Sequence, residues 1–159
     1  MICLFSIQTW AQSGKLFNTD NQLSSNLATQ VFQDKSGFIW IATRNGLNTY
    51  DGYHITVIKK DMSNFLGLNS NYINCIAQDH KEHILLGTNN SLLEFTGSEF
   101  RKIPMLDSKG KELATYVKQI YPLRNKDVAV ATSGYGIMLK KQDEQKCHAM
   151  KGEVEKLKY

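Results

Sequence analysis

The chain has 159 residues, 42% of them hydrophobic and 21% charged, with a formal net charge of +4, enough for a core of its own by length. The surplus lysines sit late, at Lys140, Lys141, Lys146, Lys151, Lys156 and Lys158, and no aromatic-basic groove accompanies them, so the charge reads as a solvated face and nucleic-acid binding is excluded. Three widely spaced cysteines, Cys3, Cys75 and Cys147, exclude a disulfide framework or a CxxC zinc site, and no apolar stretch is long enough to predict a membrane span.

The chain opens on an apolar run, Met1 to Ile7, followed by Thr9-Trp10-Ala11 before Gln12. Small residues at these two positions match the end of a secretory signal peptide, so residues 1–12 are expected to be the remnant of one. The run is short and lacks a charged beginning. A disordered or strand-forming N-terminus is the alternative.

From Leu23 onward the chain repeats itself. Residues 23–58 recur at 68–103 without a gap, an offset of 45 that pairs Leu23 with Leu68, Ser25-Asn26 with Ser70-Asn71, Gln33-Asp34 with Gln78-Asp79, Thr43 with Thr88 and Gly52 with Gly97. A third, diverged copy follows at an offset of 44, pairing Ile76 with Ile120 and Thr88 with Thr132, with one extra residue in the turn Ser133-Gly134-Tyr135-Gly136-Ile137. A unit of about 40–45 residues rich in short strands is the size of one four-stranded propeller blade. The predicted class is all-β: about three four-stranded antiparallel blades forming an incomplete propeller arc. The expected boundaries are blade 1 at 20–62, blade 2 at 63–107, a diverged blade 3 at 108–150, and the start of a further blade or a tail at 151–159.

Within the first unit, strands are predicted at 29–34, 38–43, 47–50 and 53–58. The second strand reads Phe38 to Thr43, with counterparts at His83 to Thr88 and Asp127 to Thr132; its nearly unbroken apolar run predicts a strand covered on both faces. Ala42, Gly87 and Ala131 share one repeat position, where a small side chain allows sheets to approach closely. Asn45-Gly46 and Asp51-Gly52 predict two-residue hairpins, and Asp34 to Gly37 a longer turn closed by the carboxylate. Glu82 replaces that glycine in the second copy, so its turn is expected to open slightly. Lys146 to Tyr159 reads as the outer strand of the third unit and the approach to a fourth, rather than as a charged helix.

Leu23-Ser24-Ser25-Asn26, Gln33-Asp34, Gly37 to Thr43 and Gly46 to Gly52 together closely resemble the regulator-propeller repeat. The second unit lacks the Trp and two glycines, and the third keeps the strand core and its Thr-Ser-Gly-Tyr-Gly-Ile turn. The resemblance implies the N-terminal part of the periplasmic sensor of a Bacteroides-type hybrid two-component histidine kinase. Such receptors carry a signal peptide, many blades, an inner-membrane anchor and a kinase domain, and detect glycan fragments. It implies an oligosaccharide ligand, further blades or a second protomer as partners, and no catalysis by this segment.

No phosphate loop, GxSxG or HExxH motif occurs, and His54, His80, His83 and His148 show no ligand spacing; no cofactor or metal is expected. An oligosaccharide site needs amide or guanidinium groups and an aromatic face on loops at one end of the propeller. Arg44 and Asn45, Asn89 and Asn90, and Ser133 and Tyr135 occupy equivalent positions after the buried strand, and are the candidate ligand-binding residues; the competing reading is that they only form turns. Trp40 reads as core rather than as a sugar platform. A protein-interaction propeller and a propeller lyase or glycosidase are the alternative functions, the last disfavoured because Asp34 and Asp79 are already explained as turn residues.

Three blades cannot close a ring, so apolar sheet faces are left for neighbours to cover. The isolated chain is therefore expected to self-associate in sizing and light scattering; a monodisperse, cooperatively melting monomer would contradict this.

Overall fold

In the computed structural model, residues 14, 16–60 and 67–150 are described. The predicted leader remnant at 1–12 and the segment 151–159 lie outside them. After a 3-10 turn at Thr19–Asn21 come three sheets, antiparallel but for one pair of strands in the third. The first is β1 (Ala28–Gln33), β2 (Ile39–Thr43), β3 (Gly46–Tyr50) and β4 (Ile55–Ile58), and the second is β5 (Ile73–Gln78), β6 (Ile84–Thr88), β7 (Leu92–Phe95) and β8 (Phe100–Ile103), each a simple meander. The third contains β11 (Val117–Pro122), β12 (Val128–Thr132), β13 (Ile137–Lys140) and β14 (Cys147–Ala149). Its outer edge is extended by a hairpin of β9 (Met105–Leu106) and β10 (Glu112–Leu113), with β9 parallel to β14. This is the predicted all-β class, three propeller blades side by side. The small hairpin had no sequence signal, because two-residue strands carry no periodicity.

The blades stack as the apolar second strands require. Ile84 and Leu86 of β6 point into a core shared with Trp40, Ala42 and Leu47 of the first sheet. Leu85, between them, points the other way into a core shared with Val117, Val130 and Met138 of the third. Period-two alternation explains the unbroken run, because each face of β6 meets a different blade. The outer faces of the arc are open: Val31 is 63% exposed on the first sheet, and Tyr121 and Ile137 are 63% and 50% exposed on the third.

Gly87 of the second blade lies against Val117 of the third. A Cβ there would stand 2.6 Å from Val117 Cγ1 and closer still to Cys75 Sγ, which is the physical reason for a small residue at this repeat position.

One threonine closes each second hairpin. Thr43 Oγ1 donates to Gly46 O at 2.8 Å, Thr88 Oγ1 to Ser91 O at 3.0 Å and Thr132 Oγ1 to Gly136 O at 2.9 Å, the last across the extra residue. The predicted two-residue turns differ in detail. Thr43 pairs with Gly46, so the turn residues are Arg44 and Asn45; only Gly46 has positive φ, +135°, and it enters the strand pressed against Ser24. Tyr50 pairs with Ile55, which makes Asp51–His54 a four-residue loop. Its Asp51 carboxylate accepts the N–H groups of His54 and Tyr53, which lower its pKa.

The turn after β5 does not open. Glu82 adopts φ +67° and Lys126 +73°, copying Gly37 at +93°, and each donates its N–H to the carbonyl three residues back, as Gly37 does. The strands on either side impose the conformation at the expense of local strain.

Cys75 and Cys147 are buried and free, and burial pushes both thiols up to about 12. Because the shift is upward, both stay protonated well above neutral pH. In a Cys3→Ser variant, neither is expected to react with a thiol reagent at pH 8 until the chain is unfolded; prompt labelling of the folded protein would contradict the burial. Gly87→Ala is expected to destabilise the fold by about 1–3 kcal/mol, measured by denaturant unfolding, whereas an unchanged midpoint would mean that the blades do not pack this closely.

Candidate functional site

The three inner strands, β1, β5 and β11, begin alike. Each carries a β-bulge against its partner, at Thr29, Asn74 and Lys118, positions equivalent by the 45 and 44 offsets. A bulge leaves one residue out of the ladder and re-aims its side chain. Two residues earlier stand Leu27, Tyr72 and Tyr116, again equivalent. These six residues, with Ala28 and Arg44, line a shallow recess of about 390 Å³ at one end of the arc.

The recess has an aromatic wall and a polar rim. The rings of Tyr72 and Tyr116 meet edge to face at 6.3 Å, and the Arg44 guanidinium lies over Tyr72, 5.6 Å from its centroid, a cation–π arrangement. Burial raises the Tyr116 pKa, with Tyr72 adding to the shift and Arg44 opposing it, so its hydroxyl stays neutral and able to donate. Asn74 donates to Val117 O at 3.0 Å, while its Oδ1 is buried without a partner, an acceptor in want of a donor.

The second hairpins lie beside the inner-strand starts. Arg44 N–H donates to Leu27 O at 3.2 Å and Ser133 N–H to Tyr116 O at 2.9 Å, the same bond in two blades. Of the six residues singled out from the sequence, Arg44 alone lines the recess. Asn45 N–H donates to Thr43 Oγ1, and its amide reaches Ser24 O at 3.4 Å. Asn90 is held by Thr88, and Asn89 Oδ1 accepts from Ser70 Oγ at 2.8 Å. Ser133 is exposed, its carbonyl accepting from Thr115, and Tyr135 is 48% exposed. Tyr72, Asn74, Tyr116 and Lys118 were missed. The signal for Tyr72 and Tyr116 was repeat equivalence just before the inner strand, whereas the sequence reading looked after the second strand; Asn74 and Lys118 lie inside the inner strands and gave none.

Trp40 is 6% exposed, stacked edge to face on Phe95 of the second blade at 5.8 Å, and donates its Nε1–H to Asp34 Oδ2 at 2.7 Å. It is core, as its apolar setting implied. Asp34 and Asp79 both accept backbone N–H groups within their turns.

Residues 22–45 and 67–90 match the family described as Two component regulator propeller. The two matched segments fall in the first and second blades. The extracellular domain assigned to the hybrid two-component system BT3049 of B. thetaiotaomicron is similar in structure, with a TM-score of 0.63 at 20% identity over 80% of this chain and 17% of that one. That of BT4673 from the same organism gives 0.66 at 18% identity, over 89% of this chain and 19% of that one. PorZ, a surface component of the type-IX secretion system of Porphyromonas gingivalis, gives 0.54 at 15%, covering 78% and 21%. At these identities the likeness establishes the fold, and the chain spans about a fifth of the structures it matches. No curated protein matches it. No helix among the described residues is long and apolar enough to cross a membrane.

Proposed function

We propose that these blades belong to an extracytoplasmic, ligand-sensing propeller of a two-component receptor, exported to the periplasm, and that the ligand is a glycan-derived oligosaccharide. The regulator-propeller repeat and the likeness to extracellular sensor domains support the setting. The observation that carries the ligand class is the recess at the three bulges. Two tyrosine faces suit the apolar face of a sugar ring, and Arg44, Lys118 and the Asn74 amide suit its hydroxyls. A sensor needs binding without turnover. Asp34 and Asp79 each hold their own turn, structural work that does not call for the acid and base roles of glycoside hydrolysis. The blades themselves are read as non-catalytic, the kinase activity belonging to a separate domain of the receptor.

The test is calorimetric titration of glycan-derived oligosaccharides into the ectodomain that carries these blades. Binding is expected, with Tyr72→Ala and Tyr116→Ala each weakening it about tenfold, the ~1.4 kcal/mol of one stacked ring. Silence across a broad panel would favour a protein-binding propeller instead. Breakdown of the sugar that stops on Asp34→Asn or Asp79→Asn would make the protein an enzyme.

A further inference from the structure

Asp34 and Asp79 begin the same turn in successive blades and spend one oxygen in the same way. Oδ1 accepts the N–H of Phe38 at 3.0 Å in the first blade and that of His83 at 2.9 Å in the second. The other oxygen separates them. Asp34 Oδ2 receives the Trp40 indole, but the second blade has Leu85 at the tryptophan position, and leucine offers no donor. Asp79 is 2% exposed, and its Oδ2 is buried with no hydrogen-bond partner. A carboxylate so placed is costly unless something else compensates it.

Two more departures from the first blade converge on that oxygen. His83 replaces Phe38, and its Nδ1 stands 3.7 Å from Asp79 Oδ2 and 3.3 Å from Glu94 Oε1. Glu94, on β7 opposite Leu85, replaces Thr49, which lies opposite Trp40. The three ligand atoms lie within 4.8 Å of one another. Donor atoms on a tetrahedral zinc ion with bonds of about 2.0–2.1 Å sit roughly 3.3–3.4 Å apart, close to the two separations from His83. The His83 side chain is 30% exposed, which leaves an ion a way in and a water a fourth position. Lys140 of the third blade, 4% exposed, places its Nζ 3.9 Å from Glu94 Oε1 and offsets one of the two negative charges.

We propose that Asp79, His83 and Glu94 form a site for a divalent transition cation, one imidazole nitrogen and two carboxylates with water completing a tetrahedron. The mixed nitrogen and oxygen set suits zinc or its neighbours; calcium and magnesium prefer oxygen alone. The histidine spacing missed this site because its ligands come from a turn and from a strand across the sheet. It is separate from the recess at the bulges, and neither site depends on the other.

The test uses the full chain, with zinc chloride titrated by calorimetry and cobalt(II) absorption as the second readout. One equivalent is expected to bind, with the intense visible bands of four-coordinate cobalt. His83→Gln and Glu94→Gln should each weaken binding at least as much as the roughly 10–100-fold lost with an outer-shell partner, and Lys140→Met should tighten it; circular dichroism checks that each variant keeps its strands. Two more exposed pairs, His54 with Asp51 and His148 with Glu144, are the competing sites. Binding that survives both His83→Gln and Glu94→Gln, binding lost instead with His54→Ala or His148→Ala, or no uptake at all overturns the proposal. In each of those cases His83 serves as a bridge between two carboxylates and nothing more.

Discussion

The inner edge of each blade is the constraint on which the rest depends. Sheets that radiate from an axis cannot ladder to one another, yet the innermost strands carry backbone groups that need partners away from water. Side chains of the preceding blade supply them. Gln30 accepts the N–H of Ile76 at 2.9 Å and donates to its carbonyl at 3.0 Å, so one amide satisfies both backbone groups of a residue that is 2% exposed. Thr29 Oγ1 donates to Ile73 O at 2.6 Å, and Asn74 Nδ2 makes the equivalent bond to Val117 O at 3.0 Å. These bonds set the spacing between blades, and the close approach at Gly87 follows from that spacing.

The same constraint builds the recess. Thr29 and Asn74 can reach the next blade because each is a bulge residue, displaced from the ladder toward the neighbour. Lys118, third in the series, ends in the recess itself. The groups that join the blades and the groups that line the candidate site are thus one set of positions, and a ligand bound there would touch the joints between blades. Bridging the joints in this way gives a sensor a mechanical route from binding to a change in blade geometry.

Much of the fold was legible because a repeat supplies its own control. Gln33-Asp34 against Gln78-Asp79, and Thr43 against Thr88 and Thr132, stay the same because each makes one bond that the blade needs. Strand positions followed from apolar runs and came within two residues of those observed. What escaped was set by register. A bulge adds no residue type a reader could recognise, so Asn74 and Lys118 looked like ordinary strand residues, and the left-handed Glu82 and Lys126 have side chains that argue for a different turn. The candidate site was legible on one side only, at Arg44, because the rest of it lies at the starts of the inner strands of all three blades.

Sameness across the repeats identifies scaffold, and difference at a scaffold position is therefore informative. Leu27 becomes Tyr72 and then Tyr116, in a place where the backbone needs no aromatic ring, since Leu27 fills it in the first blade while 59% exposed. Trp40 becomes Leu85 while the aspartate it served remains as Asp79, and His83 and Glu94 arrive beside that aspartate together. Random drift that removed the indole would be expected to release the carboxylate as well, because an unpaired buried charge destabilises the fold. Retention of Asp79 with two new polar neighbours is better explained if that cluster has work of its own.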